Sequence, residues 1–328
     1  MKKSLLMLGA AAMVLASCTQ NEVMEVAENR SIGFNSFVNN TTKAATEFTG
    51  TATSGDIYVI GYYGNNNGTL DQKVFVNELG STNYYWQDGK DYIFGAYADG
   101  KGGKFDGTTF DATNQVLTFT NYAPDDAKDL VATISDKVTN VTASTQSEVN
   151  LTFKHMLAQV GFTFKTEVGT EYELNITGIQ IEQAIKTATG TYTKEQSGDI
   201  TINWEGTATA EGETSYAYGS ISDLANAENK TAQEFKLVIP QTVDGSNLKV
   251  TFQATIKGVG LDNTSSPKKI AVVLPSIIWQ AGYKYNYTTV INAENIIEDT
   301  YPIEFTVEEI PVWTDGGNQD LTAPTVQP

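Results

Sequence analysis

Over long stretches of this chain, apolar residues occupy every second position. Leu248, Val250, Phe252, Ala254 and Ile256 alternate with Lys249, Thr251, Gln253, Thr255 and Lys257. Tyr283, Tyr285, Tyr287 and Ile291 alternate across Lys284, Asn286 and Thr288, and Ile200, Ile202 and Trp204 across Thr201 and Asn203. An extended backbone sends successive side chains to opposite faces, so this period predicts half-buried antiparallel strands. No long stretch carries the 3.6-residue period of an amphipathic helix. Thr, Tyr, Val and Ile crowd the chain and favour strands, while Gly and Asn favour tight turns.

Turn signals divide the alternating stretches at residues 64–68, Asp88-Gly89, 99–103 and Asp244-Gly245. Two apolar runs, 235–239 and 270–274, stop at Pro240 and Pro275, where the missing N–H ends a ladder. Many short strands with turns between them predict sandwiches or barrels. With 328 residues, of which 40% are hydrophobic, the chain is long enough for two cores.

Between 149 and 164 the alternation changes parity. Val149, Leu151, Phe153 and Leu157 are apolar on odd positions; Met156, Ala158, Val160, Phe162 and Phe164 then take the even ones. One strand changes its buried face by a bulge or by leaving one sheet for another. The reading is a crossing strand between domains, with the boundary just before it: 31–147 and 148–328.

The N-terminus is a targeting segment. Lys2 and Lys3 precede an apolar run, 5–15, that is shorter than the about 20 residues needed to span a bilayer. Leu15-Ala16-Ser17-Cys18 then resembles the bacterial lipobox, which implies cleavage by signal peptidase II before Cys18. The thiol of Cys18 takes a diacylglycerol and the new amine an acyl chain, and several chains anchor far more firmly than one. Residues 1–18 are thus read as a lipoprotein signal and 19–30 as a polar, acidic tether. Cys18 is the only cysteine, so no disulfide forms within the chain.

The formal net charge is −18, and removal of residues 1–17 takes Lys2 and Lys3 away and makes it more negative still. Such a surface repels phosphate backbones, so nucleic acid is not expected as a partner.

Several fragments, taken in order, resemble the fimbrillin family, the pilins of type V pili. Trp86-Gln87-Asp88-Gly89-Lys90 followed by Tyr92-Ile93-Phe94-Gly95-Ala96-Tyr97 is similar to its W-x-x-G-x-x-Y-x-F-x-A-Y stretch. Asp129-Leu130-Val131-Ala132 and the segment from Leu151 through His155 to Val160 resemble its D-L-L/V-x-A and L-x-F-x-H-x-L-A-x-V strands. Ile239-Pro240-Gln241, Trp279-Gln280-Ala281-Gly282-Tyr283-Lys284-Tyr285 and Pro311-Val312-Trp313 match later fragments. The resemblance covers nearly all of the mature chain.

What it implies is an all-β protein of two transthyretin-like β-sandwich domains in tandem, exposed at the cell surface as an outer membrane lipoprotein and built into a pilus. An Arg- or Lys-specific protease removes the first strand, and a strand from another pilin subunit fills the groove. Ile32, Phe34 and Val38, with Phe37, are suited to a removable first strand. Lys43 follows in a polar loop and is the candidate cleavage site, though it is equally well a plain exposed lysine; cutting at Arg30 would leave the strand attached. The stretch 303–312, with Ile303, Phe305, Val307, Ile310 and Val312, is either the donor strand or an ordinary strand of the second domain.

No catalytic constellation emerges, and no enzyme activity, cofactor or metal is expected. His155 is the only histidine and lies in an apolar strand. With Cys18 lipidated, a Cys/His or typical zinc site is excluded, and a Ser/His/Asp triad would have to use His155. Asp99, Asp106 and Asp111 lie in a Gly-rich region without EF-hand spacing and read as a solvated loop. Tyr84, Tyr85 and Trp86 are the candidate platform for a host or glycan ligand, and they support a second class of function, a non-polymerising glycan-binding surface lipoprotein. The competing reading of Trp86 is a core residue of the first domain.

Overall fold

A computed structural model describes residues 30–38, 50–226, 230–231, 235–297 and 302–310. Cys18, Lys43 and Val312 lie outside the described residues. The first half carries β1 (Phe34–Val38), β2 (Gly50–Ala52), β3 (Tyr58–Asn65), β4 (Gln72–Leu79), β5 (Lys90–Asp99), β6 (Thr108–Asp111), β7 (Val116–Tyr122), β8 (Leu130–Ile134) and β9 (Val149–His155). The second half carries β10 (Ala158–Thr166), β11 (Glu173–Glu182), β12 (Ile185–Lys194), β13 (Ile200–Ala208), β14 (Thr214–Ala217), β15 (Lys230–Thr231), β16 (Lys236–Val238) and β17 (Gln241–Val243). It continues with β18 (Lys249–Gly258), β19 (Leu261–Asp262), β20 (Lys268–Val273), β21 (Ile277–Trp279), β22 (Lys284–Ile291), a one-turn helix α1 (Ala293–Ile297) and β23 (Thr306–Ile310). The protein is all-β. The alternating stretches around 250, 285 and 202 are β18, β22 and β13, and the runs before Pro240 and Pro275 are β16 and β20.

Seven strands form the first sheet in the order β2-β1-β9-β8-β5-β3-β4. All neighbours are antiparallel except β1 and β9, which are parallel. The interior strand β5 is buried from Asp91 to Asp99, because both faces of the sheet are covered. Tyr92, Phe94, Ala96 and Ala98 join one core with Phe34, Phe75, Trp86, Leu151 and Phe153. Ile93 and Tyr97 join a second core with Phe110, Leu117, Phe119, Leu130 and Tyr192. Gly95 lies between them on this second face, where a Cβ would stand 2.9 Å from the Phe110 ring.

That second face is covered by a four-stranded sheet, β13-β12-β7-β6. Its halves come from distant parts of the chain. β6 and β7 precede residue 147, whereas β12 and β13 form a hairpin from the second half, with Thr191 opposite Thr118 and Tyr192 opposite Leu117. The division expected at 147 is therefore not the division of the sheets. β9 pairs with β1 and β8 of the first sheet, and residues 185–208 return to complete its cover.

The sheet changes at Met156-Leu157, where the apolar parity flips. Met156 donates its N–H to Leu130 O at 2.9 Å on the first side, and Gly282 donates to Leu157 O at 2.8 Å on the second. β10 then pairs with β16 and, in parallel, with β22, whose other neighbour is β23. A separate sheet of β14, β11, β18, β19 and β20 faces it. Phe162, Phe164, Ile176, Ile181, Phe252 and Tyr287 fill the core between them.

Candidate functional site

The first strand is the element whose environment bears most on function. Alternation along residues 31–37 points Ile32, Phe34 and Ser36 inward, with 3%, 5% and 1% of their surface exposed. Phe37, on the same strand, points outward and is 52% exposed. Phe34 meets the rings of Phe75 and Phe94 edge-on at 5.4 and 5.2 Å. The strand thus lies over an apolar seat lined by Phe75, Phe94, Leu151 and Phe153.

Its main chain is held from several directions. β1 runs parallel to β9 from Phe34 opposite Val149 to Val38 opposite Phe153, and antiparallel to β2 with Ser36 opposite Ala52. Just before β1, Arg30 N donates to Ala143 O at 3.1 Å, Ile32 N to Tyr84 O at 2.7 Å, and Trp86 N to Arg30 O at 3.1 Å. Val149 N donates to Gly33 O at 2.9 Å. Taking the strand away would strip partners from 84–86, Ala143 and β9 and would open the apolar seat, and both changes are costly.

The turn that presents residues 84–86 is built by a compact set of bonds. Gln87 N donates to the Tyr92 hydroxyl at 3.0 Å, and Gly89 takes a φ of 65° that a side chain would resist. The carboxylate of Asp88 accepts from Ala143 N at 2.7 Å. Asp91 has a fully buried side chain and accepts from Asn67 N, Asn140 N and the Lys137 ammonium at 3.1, 2.8 and 3.0 Å. Burial pushes its carboxyl pKa up, but these donors outweigh burial and hold it below the usual carboxylate range. The same construction occurs in the second half. Trp279 is buried, Gln280 N donates to the Tyr285 hydroxyl at 2.8 Å, and Gly282 has a φ of 82°. Ser36, Ala143 and Asp91 carry no sequence signal of their own; the shared Trp-Gln-x-Gly-x-x-Tyr string at 86 and 279 is the signal that points to this turn.

Tyr84, Tyr85 and Trp86 do not form a common platform. Trp86 is completely buried and meets Tyr92 and Phe94 edge-on at 4.8 and 6.1 Å. Tyr84 packs edge-on against Phe75 and donates its hydroxyl to Glu78 at 2.9 Å. Only Tyr85 is largely exposed, at 57%. Extended backbone turns neighbouring side chains to opposite faces, so three consecutive rings cannot share one surface here. The glycan reading loses the feature that supported it.

The C-terminal stretch is the edge strand of its own sheet. β23 runs antiparallel to β22, with Val307 opposite Tyr287 and Ile310 opposite Lys284. Phe305 is buried against the rings of Phe162 and Phe164 at 5.7 and 5.8 Å. Ile303 and Val307 pack half-buried on the same core, while Ile310 packs on the second core of the first sheet.

The remaining polar candidates have partners of their own. His155 Nδ1 lies 2.7 Å from Asp129 Oδ2, with both side chains buried. Asp99 accepts the Tyr122 hydroxyl at 2.8 Å, and burial pushes its carboxyl pKa up. Asp106 pairs with Lys104 at 3.0 Å, and Asp111 accepts from Thr113 N and Asn114 N. Among the described residues no cluster of three His, Cys, Asp or Glu is placed to hold a metal.

An all-β chain whose largest sheet is completed by its own N-terminal strand is the class that this geometry defines. The sequence profile of the fimbrillin-like family matches residues 21–305, and the chain belongs to that family. Among solved structures, a fimbrial protein from Bacteroides vulgatus ATCC 8482 is 18% identical, with 87% of this chain and 100% of that chain covered and a TM-score of 0.51. The fimbrial anchor protein Mfa2 from Porphyromonas gingivalis is 13% identical, with 85% and 97% covered and a TM-score of 0.35. No curated protein sequence matches. The fold is that of fimbrial proteins.

Proposed function

We propose that this protein is a pilus subunit, exported to the cell surface as a lipoprotein anchored through Cys18, cut at Lys43 and assembled by strand exchange. The observation that carries this reading is the seat of β1. Ile32, Phe34 and Ser36 fill an apolar groove that is walled by β9 and residues 84–86. Cleavage at Lys43, in the stretch between β1 and β2, frees that segment. The vacated groove then presents unpaired backbone and apolar surface to an incoming strand, the physics of β-augmentation.

The pattern of the candidate donor supports it. Ile303-Glu304-Phe305-Thr306-Val307 repeats the Ile-x-Phe-x-small spacing of Ile32-Gly33-Phe34-Asn35-Ser36. A donor in that register would set Phe305 where Phe34 meets Phe75 and Phe94. Donation requires β23 to leave β22 and Phe305 to leave Phe162 and Phe164, so exchange trades one set of ring contacts for another. The partners of this reading are other pilin subunits, signal peptidase II and an Arg/Lys-specific surface protease.

The test is mass spectrometry of the N-terminus of the protein on its native cells, together with gels of unboiled surface fractions. A terminus at Ala44 with high-order ladders is expected. Acylated Cys18 as the sole terminus, without ladders, would sink the proposal.

A further inference from the structure

Between the two buried anchors of the first strand, Ile32 and Phe34, stands a glycine. Gly33 does not take a positive φ, so its backbone admits other residues. A neighbour limits what fits. β1 and β9 run parallel with Phe34 opposite Val149, and Val149 N donates to Gly33 O at 2.9 Å, which brings Gly33 level with Glu148. A Cβ on Gly33 would stand 2.9 Å from Cγ and 3.0 Å from Oε1 of Glu148. Glu148 has rotatable bonds of its own and can make room for a Cβ. Its carboxylate nevertheless stays beside any side chain carried at this position. Side chains level with each other on neighbouring strands interact, and like charges there are unfavourable.

The chain's own candidate donor meets this charge. In the register that sets Phe305 in place of Phe34, Ile303 replaces Ile32 and Glu304 replaces Gly33. In its present place Glu304 is exposed, and its carbonyl accepts the Thr289 hydroxyl at 2.7 Å. Moved to the seat of β1, its carboxylate would lie level with that of Glu148.

We infer that Glu148 is a specificity-determining residue of the β1 seat. It favours an incoming strand with glycine or a basic residue between two apolar anchors and disfavours one with an acid there. The occupant it selects is a strand of another pilin with that pattern, in preference to residues 303–307 of a second copy of this chain. The inference rests on the strand-exchange reading and adds which partner the seat prefers.

Two measurements test it, both at about 0.15 M salt, where charges more than about 8 Å apart are largely screened. In the full chain, Gly33→Lys and Gly33→Glu place long side chains of opposite charge beside Glu148. The folded-to-unfolded ratio in denaturant is expected to be about threefold higher for Gly33→Lys, and the gap is expected to close when Glu148→Gln is added. Equal ratios with Glu148 present, or a gap that survives Glu148→Gln, would overturn the inference whether or not strands exchange.

The second measurement uses the full chain with a site for a sequence-specific protease inserted between β1 and β2. After cutting, it is offered an excess of two synthetic peptides in equal amounts, residues 302–310 as they stand and the same peptide with Glu304→Lys. Native mass spectrometry reads which peptide replaces the first segment. Capture of the Glu304→Lys peptide about threefold more often is expected, with the preference lost in Glu148→Gln. Equal capture by the chain with Glu148 overturns this inference alone, because strands then exchange without regard to the charge. Capture of neither peptide overturns the strand-exchange reading, and this inference falls with it.

Discussion

Gln87 donates its main-chain N–H to the phenolic oxygen of Tyr92 at 3.0 Å, and Gln280 does the same to Tyr285 at 2.8 Å. Each bond closes a turn between a buried tryptophan and the strand that follows, once in each half of the molecule. Tyr92→Phe and Tyr285→Phe each leave a main-chain donor without its partner. Each is expected to lower stability by about 1–2 kcal/mol in denaturant unfolding. The two turns lie in different cores, so the double variant is expected to show the sum of the single losses.

Phe34 is the ring that seats β1. Phe34→Ala removes it from between Phe75 and Phe94 and leaves a cavity, at a cost of about 3–5 kcal/mol. The exposed neighbour Phe37 supplies a control, since Phe37→Ala is expected to stay within about 0.5 kcal/mol. Equal losses from the two variants would contradict the facing described for β1.

Asp91 ties residues 67, 137 and 140 to the start of β5. Its folded-state pKa is held below that of the unfolded chain, about 3.9. Its contribution is therefore whole above that value and is lost as pH falls through the folded pKa. Asp91→Asn is expected to flatten the acid limb of a stability–pH curve. Asp91→Ala is expected to cost about 2–3 kcal/mol at neutral pH, because three donors lose a charged acceptor.

Tyr192, on the hairpin that completes the four-stranded sheet, is buried in the second core. Burial pushes its phenol up to about 12, against a hydrogen bond from Thr133 that acts in the opposite direction. The raised value means that its contribution is complete below about pH 10, the unfolded pKa, and disappears as pH rises through about 12. Alkaline unfolding followed by tyrosinate absorbance and circular dichroism is expected to be cooperative in that window, and to begin at lower pH in Tyr192→Ala.

Replacing the whole hairpin, residues 185–208, by a short Gly-Ser loop should expose Ile93, Tyr97, Leu117 and Phe119. Cooperative unfolding of the first half is expected to be lost. A first half that still melts in one sharp step without the hairpin would show that its core is complete without β12 and β13.

Local sequence pattern determined much of what is seen. The all-β class follows from period two, the ends of β16 and β20 from Pro240 and Pro275, and the switch of sheet near 156 from the parity change. The Trp-Gln-x-Gly-x-x-Tyr strings mark the turns, because glycine at positive φ and a phenol five residues after the glutamine are local requirements. Only the tertiary structure decided which strands become neighbours. The return of β12 to β7, the parallel seat of β1 on β9 and the placement of β9 in the first sheet depend on main-chain bonds that carry no side-chain identity. Alternation says that a residue faces a core and is silent about which core. For that reason Trp86 and Tyr85, adjacent in sequence and both aromatic, end on opposite faces, one buried and one exposed, and the first half borrows its cover from residues 185–208.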